Sequence, residues 1–362
     1  MQPLKILHII WSTEMGGISK VVLHLCQEQQ KDESLQVSVF CAKGKSALFE
    51  TFEKCGISIV AGKFTNALNI DSTSKMEYKK MMSNVDIIHF HSYNPLLASF
   101  AKKKREKIVY SEHGNFGFGR KVRINDLVVR WMQKKFLNKY IHAITFNSNF
   151  TKEKSISRFD LHHSTKEVIY NGVPENATSH NAQNFFRKNN HEFLIATIGR
   201  LASVKRFDRL LLALSKTENS NFKLLIMGTG PEESELRNLV AEFNLSTKVF
   251  FVGQGDSIQL LKESNICIIS SQGEAFGLVA IEAYQQGKQV LVFEDGGGVT
   301  EIVRQLDPLS VVKNEHEMAK LITHLIQHPI DDEANIVARK NYSAQYSMSI
   351  MASKIKKLYL SI

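Results

Sequence analysis

Two glutamates, Glu274 and Glu282, stand eight positions apart in "GEAFGLVAIEAYQQGKQVLVFEDGGG" (273–298), among six glycines. Glycine-rich turns that open helices attract anions, so carboxylates placed there pose an electrostatic question. The spacing of Leu278, Ile281 and Tyr284 predicts a helix over 277–286, with Gly287 at the C′ position. The backbone N–H groups of Phe276, Gly277 and Leu278 then open that helix without intrahelical acceptors, and the helix dipole adds about half a unit of positive charge. Such a terminus suits a phosphate. Glu282 falls one turn beyond Leu278 and can reach a ligand held at the helix start, where the paired hydroxyls of a ribose would satisfy both carboxylate oxygens. The plainer alternatives are a first-turn acid for Glu274 and an exposed helix position for Glu282.

Cations occur at a second place. In "HEFLIATIGRLASVKRFDRLLLAL" an apolar run ends at Gly199, Arg200 and Lys205 follow, and a helix begins near Phe207. A guanidinium that forks onto two oxygens and a mobile ammonium suit a diphosphate. A solvated arginine and a helix-terminal lysine are the alternative. Gly16-Gly17 in "WSTEMGGISKVVLHL" follows an apolar run and opens a helix, as a phosphate turn does, without forming GxGxxG. A tight strand-to-helix turn would need the same glycines. His113 ends the run "KIVYSEH", and His89 and His91 end another with i, i+2 spacing. The three could bind zinc in principle, but no fixed-spacing metal motif is present.

The elements that must position these groups follow from periodicity. "KILHII" (5–10), "QVSVFCA" (36–42), "VDIIHFHS" (85–92), "KIVYSEH" (107–113) and "HAITFNS" (142–148) are continuous apolar runs, as expected of parallel strands covered on both faces. Helical patterns such as "ISKVVLHLCQEQQ" (18–30) and "RINDLVVRWMQKKFLNKY" (123–140) lie between them. The second half repeats the theme with "HEFLIATIGRL", "FKLLIMGTGP", "KVFFVGQ", "ICIISSQ" and "QVLVFEDGG". The prediction is an α/β protein of two doubly wound, Rossmann-like domains facing each other, with "NGVPENATSHNAQN" (171–184) as linker and ligands beyond the carboxyl ends of the strands.

At 362 residues two domains are the default. No apolar run approaches the ~20 residues that span a bilayer, and the first residues lack a basic n-region and a cleavage site. Four widely spaced cysteines form no CxxC pair and suggest buried thiols in a reducing cytoplasm. The N-x-S/T triplet at Asn176-Ala-Thr178 carries no meaning without secretion. The net charge of +10 sits entirely in residues 1–175, where 26 Lys/Arg face 16 Asp/Glu; residues 176–362 hold 20 of each. That asymmetry predicts an anionic partner for the first half.

Taken in order, these motifs make the chain resemble the retaining glycosyltransferases of GT-B fold, family 4-like, typified by bacterial nucleotide-sugar-dependent enzymes of cell-surface polysaccharide synthesis. The resemblance runs almost end to end. It comprises Gly16-Gly17, "SEHG" (111–114), Asn171-Gly172-Val173, "GRL…K" (199–205), "GTGP" (228–231) and the E-x7-E pair, followed by "GG…E" through Glu301. It implies an acceptor-binding domain over 1–175, a donor-binding domain over 176–338 and a closing segment over 339–362 that crosses back to the first domain. It implies Arg200 and Lys205 on the diphosphate, with Gly16 or Gly17 on the distal phosphate. Glu274 and His113 would be the catalytic residues beside the transferred sugar, and Glu282 would bind the ribose. Ala275 replaces the usual glycine of Glu-Gly-Phe-Gly, and Thr300 stands where proline is common.

The opening question then has an answer. A nucleoside diphosphate carries about −2, which Arg200 and Lys205 cancel, so Glu274 can approach and stabilise the oxocarbenium-like sugar. No metal is required, and no D-x-D motif is present. The expected donor is a UDP-sugar, with "KVFFVGQ" near the base. The acceptor is a glycan or a lipid-linked acceptor. The basic runs "AKKKREK" (101–107), "GRKVR" (119–123) and "QKKFLNK" (133–139), with Trp131, Phe136, Phe116 and Phe118, predict an anionic membrane surface as partner and a peripheral, cytoplasmic enzyme. Alternatively Trp131 and Phe136 are core and the lysines are solvated. Three other classes compete. A sugar-nucleotide epimerase of the same fold needs no acceptor, a dehydrogenase needs GxGxxG, and a nucleic-acid binder needs a motif not visible here.

Overall fold

The computed structural model describes residues 2–66, 69–101, 106–114, 124–162, 165–175, 192–218, 221–328 and 332–362. The linker from 176 onward with its Asn176-Ala-Thr178 triplet, the loop bearing Phe116, Phe118 and Arg120, the "GRKVR" run and most of "AKKKREK" lie outside them. The described chain forms two compact units. One holds residues up to Pro174 together with Ser347–Ile362, the other Glu175–Tyr346.

The first unit is built on β1 (Leu4–Ile10), β2 (Leu35–Cys41), β3 (Ser58–Ala61), β6 (Ile87–Phe90), β7 (Lys107–Glu112), β8 (Ala143–Phe146) and β9 (Lys166–Val168), with β4 (Phe64–Asn66) and β5 (Asn69–Ile70) as a separate antiparallel pair. The large sheet is parallel throughout, in the order β3-β2-β1-β6-β7-β8-β9. Central β1 is hydrogen-bonded on both edges and buried from Ile6 to Ile10, which is why its sequence is apolar at consecutive rather than alternate positions. His8 interrupts that run, and a buried polar group in a central strand must find partners.

Helix Met348–Ser361 completes this unit with Met351, Ile355, Leu358 and Tyr359 buried. Met348 N–H donates to the Val173 carbonyl at 2.9 Å, and Lys356 reaches Asp32 at 2.5 Å. Gly172 allows this closure, because a Cβ there would lie 2.6 Å from Met348 Cα.

The second unit holds β10 (Phe193–Ile198), β11 (Phe222–Met227), β12 (Val249–Gly253), β13 (Ile266–Ile269), β14 (Gln289–Phe293) and β15 (Val311–Val312), parallel in the order β12-β11-β10-β13-β14-β15. Strand order reverses on either side of β10, as it does at β1 in the first unit, which makes both sheets doubly wound. Helix Glu333–Ala344 stays with this unit. Arg339 bonds Asp307 at 3.3 Å, and the Tyr342 hydroxyl donates to the Ile302 carbonyl at 2.9 Å. The segment belonging to the first unit therefore starts at Ser347 rather than at 339.

Candidate active site

In the second unit the chemistry collects where β10, β13 and β14 end. After β10 the chain passes Gly199 and Arg200, makes a short 3-10 turn over Ser203–Lys205, and enters helix Phe207–Ser215 through Arg206 at φ +48°. The Lys205 stem lies along Gly199, whose added Cβ would touch Lys205 Cε at 3.4 Å. The loop after β13 grips that turn, with Ser270 Oγ donating to the Lys205 carbonyl at 2.8 Å and Gln272 N–H to the Val204 carbonyl at 2.9 Å. Glu274 is held between loops in turn: its N–H donates to the Gly296 carbonyl at 2.8 Å, and its carbonyl accepts from Gly298 N–H at 2.7 Å.

The result is an ion pair between the Lys205 ammonium and the Glu274 carboxylate. Burial pushes the Glu274 carboxyl up, but the charge and hydrogen bond of Lys205 prevail, and its pKa lies below the ordinary 4.5. Glu274 is therefore anionic at neutral pH. Arg200, which follows Gly199 just past the end of β10, is exposed, and no ion pair to it is present among the described residues.

Helix Leu278–Gln285 begins after Gly277, which takes φ +97° and packs so closely on Val299 that a Cβ would meet Val299 Cγ2 at 2.5 Å. No side chain caps this terminus. Phe276 before it is buried, and Leu278 is half-buried. Glu282 is half-buried on the helix, and its charge adds to the burial that raises the Cys267 thiol of β13. Thr300 is buried and donates to the Phe293 carbonyl at 2.8 Å, a bond that proline could not make.

Arg209 is a residue that sequence reasoning missed. It is buried, stacks 3.8 Å from the Phe293 ring centroid, and donates to the Ser270 carbonyl at 2.8 Å, the Ser271 carbonyl at 2.9 Å and Asp295 at 2.7 Å. It thereby ties together the two loops that carry Glu274. Its only sequence signal was a charge inside the apolar run "FDRLLLAL".

In the first unit Gly16 caps helix Gly17–Gln29 with φ −168°, an extended conformation open to any residue. An added Cβ would meet nothing nearer than the Glu14 carbonyl oxygen at 3.9 Å. The turn itself thus does not require glycine at 16; glycine there leaves the exposed, uncapped helix start bare.

His113 follows β7 and is half-buried, and Glu112 accepts from Gly114 N–H at 2.8 Å beside it. His113 Nε2 meets His91 Nδ1 at 3.0 Å, His91 Nε2 meets His8 Nδ1 at 2.9 Å, and His8 Nε2 meets Gln29 Oε1 at 2.9 Å. His89 stands apart from this line, bonded to the Tyr359 hydroxyl at 2.6 Å and Ser111 Oγ at 2.7 Å. Nitrogens of His8, His89 and His91 come within 4.8 Å of one another. Each of their ring nitrogens lies within hydrogen-bond distance of a protein partner. Burial lowers the pKa of His8 and His113 to about 4 and holds those of His89 and His91 well below the ordinary 6.5, so the rings are neutral at pH 7.

A family model described as "Glycosyltransferase Family 4" matches residues 15–176, and one described as "Glycosyl transferases group 1" matches residues 179–342. An uncharacterised glycosyltransferase of Methanocaldococcus jannaschii is 32% identical over 190 residues, covering 46% of this chain and 48% of that protein. The N-acetyl-alpha-D-glucosaminyl L-malate synthase of Bacillus anthracis is 27% identical over 248 residues, 65% of this chain and 63% of the relative. The chain thus spans about half to two thirds of the length of these curated relatives. The crystal structure of Anabaena HepE in complex with UDP and glucose superposes with a TM-score of 0.81 at 17% identity, covering 99% of this chain and 100% of that one.

Proposed function

We propose that this chain, which belongs to the family 4-like glycosyltransferases of GT-B fold, moves a hexose-type sugar from a nucleotide diphosphate sugar to a glycan or lipid-linked acceptor. The observation that carries the reading is the Lys205–Glu274 ion pair, fixed by the loops after three adjacent parallel strands and placed beside an uncapped helix start. A cation and an anion so held suit a reaction that separates charge. The bond from the sugar's anomeric carbon to the diphosphate breaks, with its electron pair going to the diphosphate. Arg200, Lys205 and the N–H groups around Phe276, Gly277 and Leu278 stabilise that leaving group, and ionised Glu274 stabilises the cationic sugar. Glu282 binds the ribose, Gly16 and Gly17 offer N–H groups to the distal phosphate, and His113 contacts the sugar.

The acceptor oxygen bonds to the anomeric carbon from the face the diphosphate leaves, and its proton passes to the departing phosphate, so configuration is retained. Lysine and arginine supply the charge that a divalent ion supplies elsewhere, so the reaction runs without metal. UDP is the favoured base carrier, in keeping with what the HepE structure holds. The test is a panel of UDP-, GDP- and dTDP-sugars with mass detection of products, run with and without a chelator. Transfer from a UDP-sugar in chelator is expected. Failure of every nucleotide sugar to be cleaved or transferred overturns the reading, and release of an epimerised free sugar would favour the epimerase.

The acceptor side points to a membrane. In helix Ile124–Lys139, Phe136 and Leu137 are core, whereas Leu127 and Val128 are each 53% exposed and Trp131 63%. Lys135 lies 5.4 Å over the Trp131 ring, and Lys139 is exposed on the same helix. An apolar strip edged by lysines fits the interface of an anionic bilayer. No helix among the described residues is long and apolar enough to cross a membrane.

A further inference from the structure

The line of rings from Gln29 to His113 has a direction. An amide oxygen only accepts, so His8 must donate through Nε2 to Gln29 Oε1. A neutral imidazole holds one N–H, so His8 Nδ1 is bare and accepts from His91 Nε2. His91 Nδ1 is bare for the same reason and accepts from His113 Nε2. His113 Nδ1 is then left as a lone pair, and that atom is buried without a partner among the described residues. A buried acceptor left unpaired costs about 1–3 kcal/mol, which a donating ligand would recover.

Gln29 Oε1 faces His8 Nε2 at 2.9 Å, and Gln29 Nε2 has no hydrogen-bond partner among the described residues. Burial keeps all four histidines neutral at pH 7, so the one-proton count holds along the whole line.

We propose that Gln29, His8 and His91 are positioning residues that fix His113 as an acceptor-only imidazole, its bare Nδ1 receiving a hydrogen bond from a hydroxyl of the transferred sugar. The sugar contact rests on the transferase reading above; the proton order along the line does not. No conventional motif marks Gln29, which sits at the last residue of helix Gly17–Gln29, far from His113 in sequence.

Long-range proton–nitrogen correlation spectra of the full chain, with nitrogen-labelled histidine, read the tautomer of each ring directly. The expected result is Nε2–H with bare Nδ1 on His8, His91 and His113. Nδ1–H on His113 would overturn the proposal, and that measurement needs no variant. Gln29→Met keeps the volume and removes the acceptor. It should release the fixed tautomer of His113 and lower kcat/KM for the donor roughly tenfold; an unchanged His113 spectrum in a folded Gln29→Met protein would overturn the positioning role. Titration with UDP-glucose, UDP-N-acetylglucosamine and GDP-mannose tests the contact. Whichever is turned over should shift the His113 Nδ1 resonance, and turnover without that shift overturns the contact. If none is turned over, the transferase reading fails, while the tautomer assignment still stands or falls on the ligand-free spectra.

Discussion

Glu274 and Lys205 neutralise each other in the ligand-free protein, so removing either leaves a partly buried charge without its partner as well as removing a group from the reaction. Glu274→Gln and Lys205→Ala should each lower kcat by about a hundredfold or more, the usual scale for one preorganised charge-stabilising group, while circular dichroism stays native. Arg200→Ala, which disturbs no ion pair among the described residues, should lower kcat/KM without altering stability. Near-wild-type turnover in Arg200→Ala would remove it from the diphosphate site. The pH dependence of stability is also set residue by residue. Glu274, with its folded pKa below 4.5, contributes stability that is present above that value and lost as pH falls through the folded pKa. The buried histidines act at higher pH. Their folded pKa values lie below the ordinary 6.5, at about 4 for His8 and His113, so the unfolded chain binds more protons between those limits. Stability should therefore fall on acidification from pH 6.5 toward 4, by roughly 1.4 kcal/mol per pH unit for each such ring. Urea unfolding across that range is the check, and a flat profile there would show that the rings are not buried neutral.

At the scale of elements, the loops after β13 and β14 act as one unit because Arg209 spans them. Arg209→Met should destabilise by about 3 kcal/mol, since it strands two carbonyls and Asp295. It should also lower kcat, because Glu274 hangs from the same loops. A folded Arg209→Met protein with unchanged kcat would confine the residue to packing. Arg209 was hidden in the sequence because its role depends on carbonyls that come together only when β10, β13 and β14 lie side by side. The central strands were legible for the opposite reason: burial on both faces writes itself into a continuous apolar run, as in "KILHII" and "FLIATI". The edge strands β3, β9 and β15 escaped, being short and bordered by polar residues. The helix start at Leu278 was legible in the spacing of Leu278, Ile281 and Tyr284 ahead of Gly287. The histidine line was not, because His8, His91 and His113 come from β1 and from the ends of β6 and β7, and only the order β1-β6-β7 aligns them.

For the molecule as a whole, the +10 charge lies in residues 1–175, and composition alone could not say whether that charge meets solvent or a partner. Helix Ile124–Lys139 discriminates, because burial separates its apolar residues into two sets. Phe136 and Leu137 serve the core, so the exposure of Leu127, Val128 and Trp131 is surplus to folding. A Trp131→Ser change should therefore leave the melting temperature within about 1 °C, since surface substitutions away from packed groups shift stability little. It should nonetheless weaken sedimentation with vesicles of anionic phospholipid. Adding salt should weaken binding of the wild-type protein further, as screening removes the lysine contribution while leaving the apolar one. Transfer to a water-soluble acceptor should be the same in Trp131→Ser and wild type, whereas transfer to a lipid-linked acceptor in vesicles should fall with the loss of binding. Equal vesicle binding by both proteins at low salt would show that the strip does not meet the bilayer, and would return the basic half to a purely solvated role.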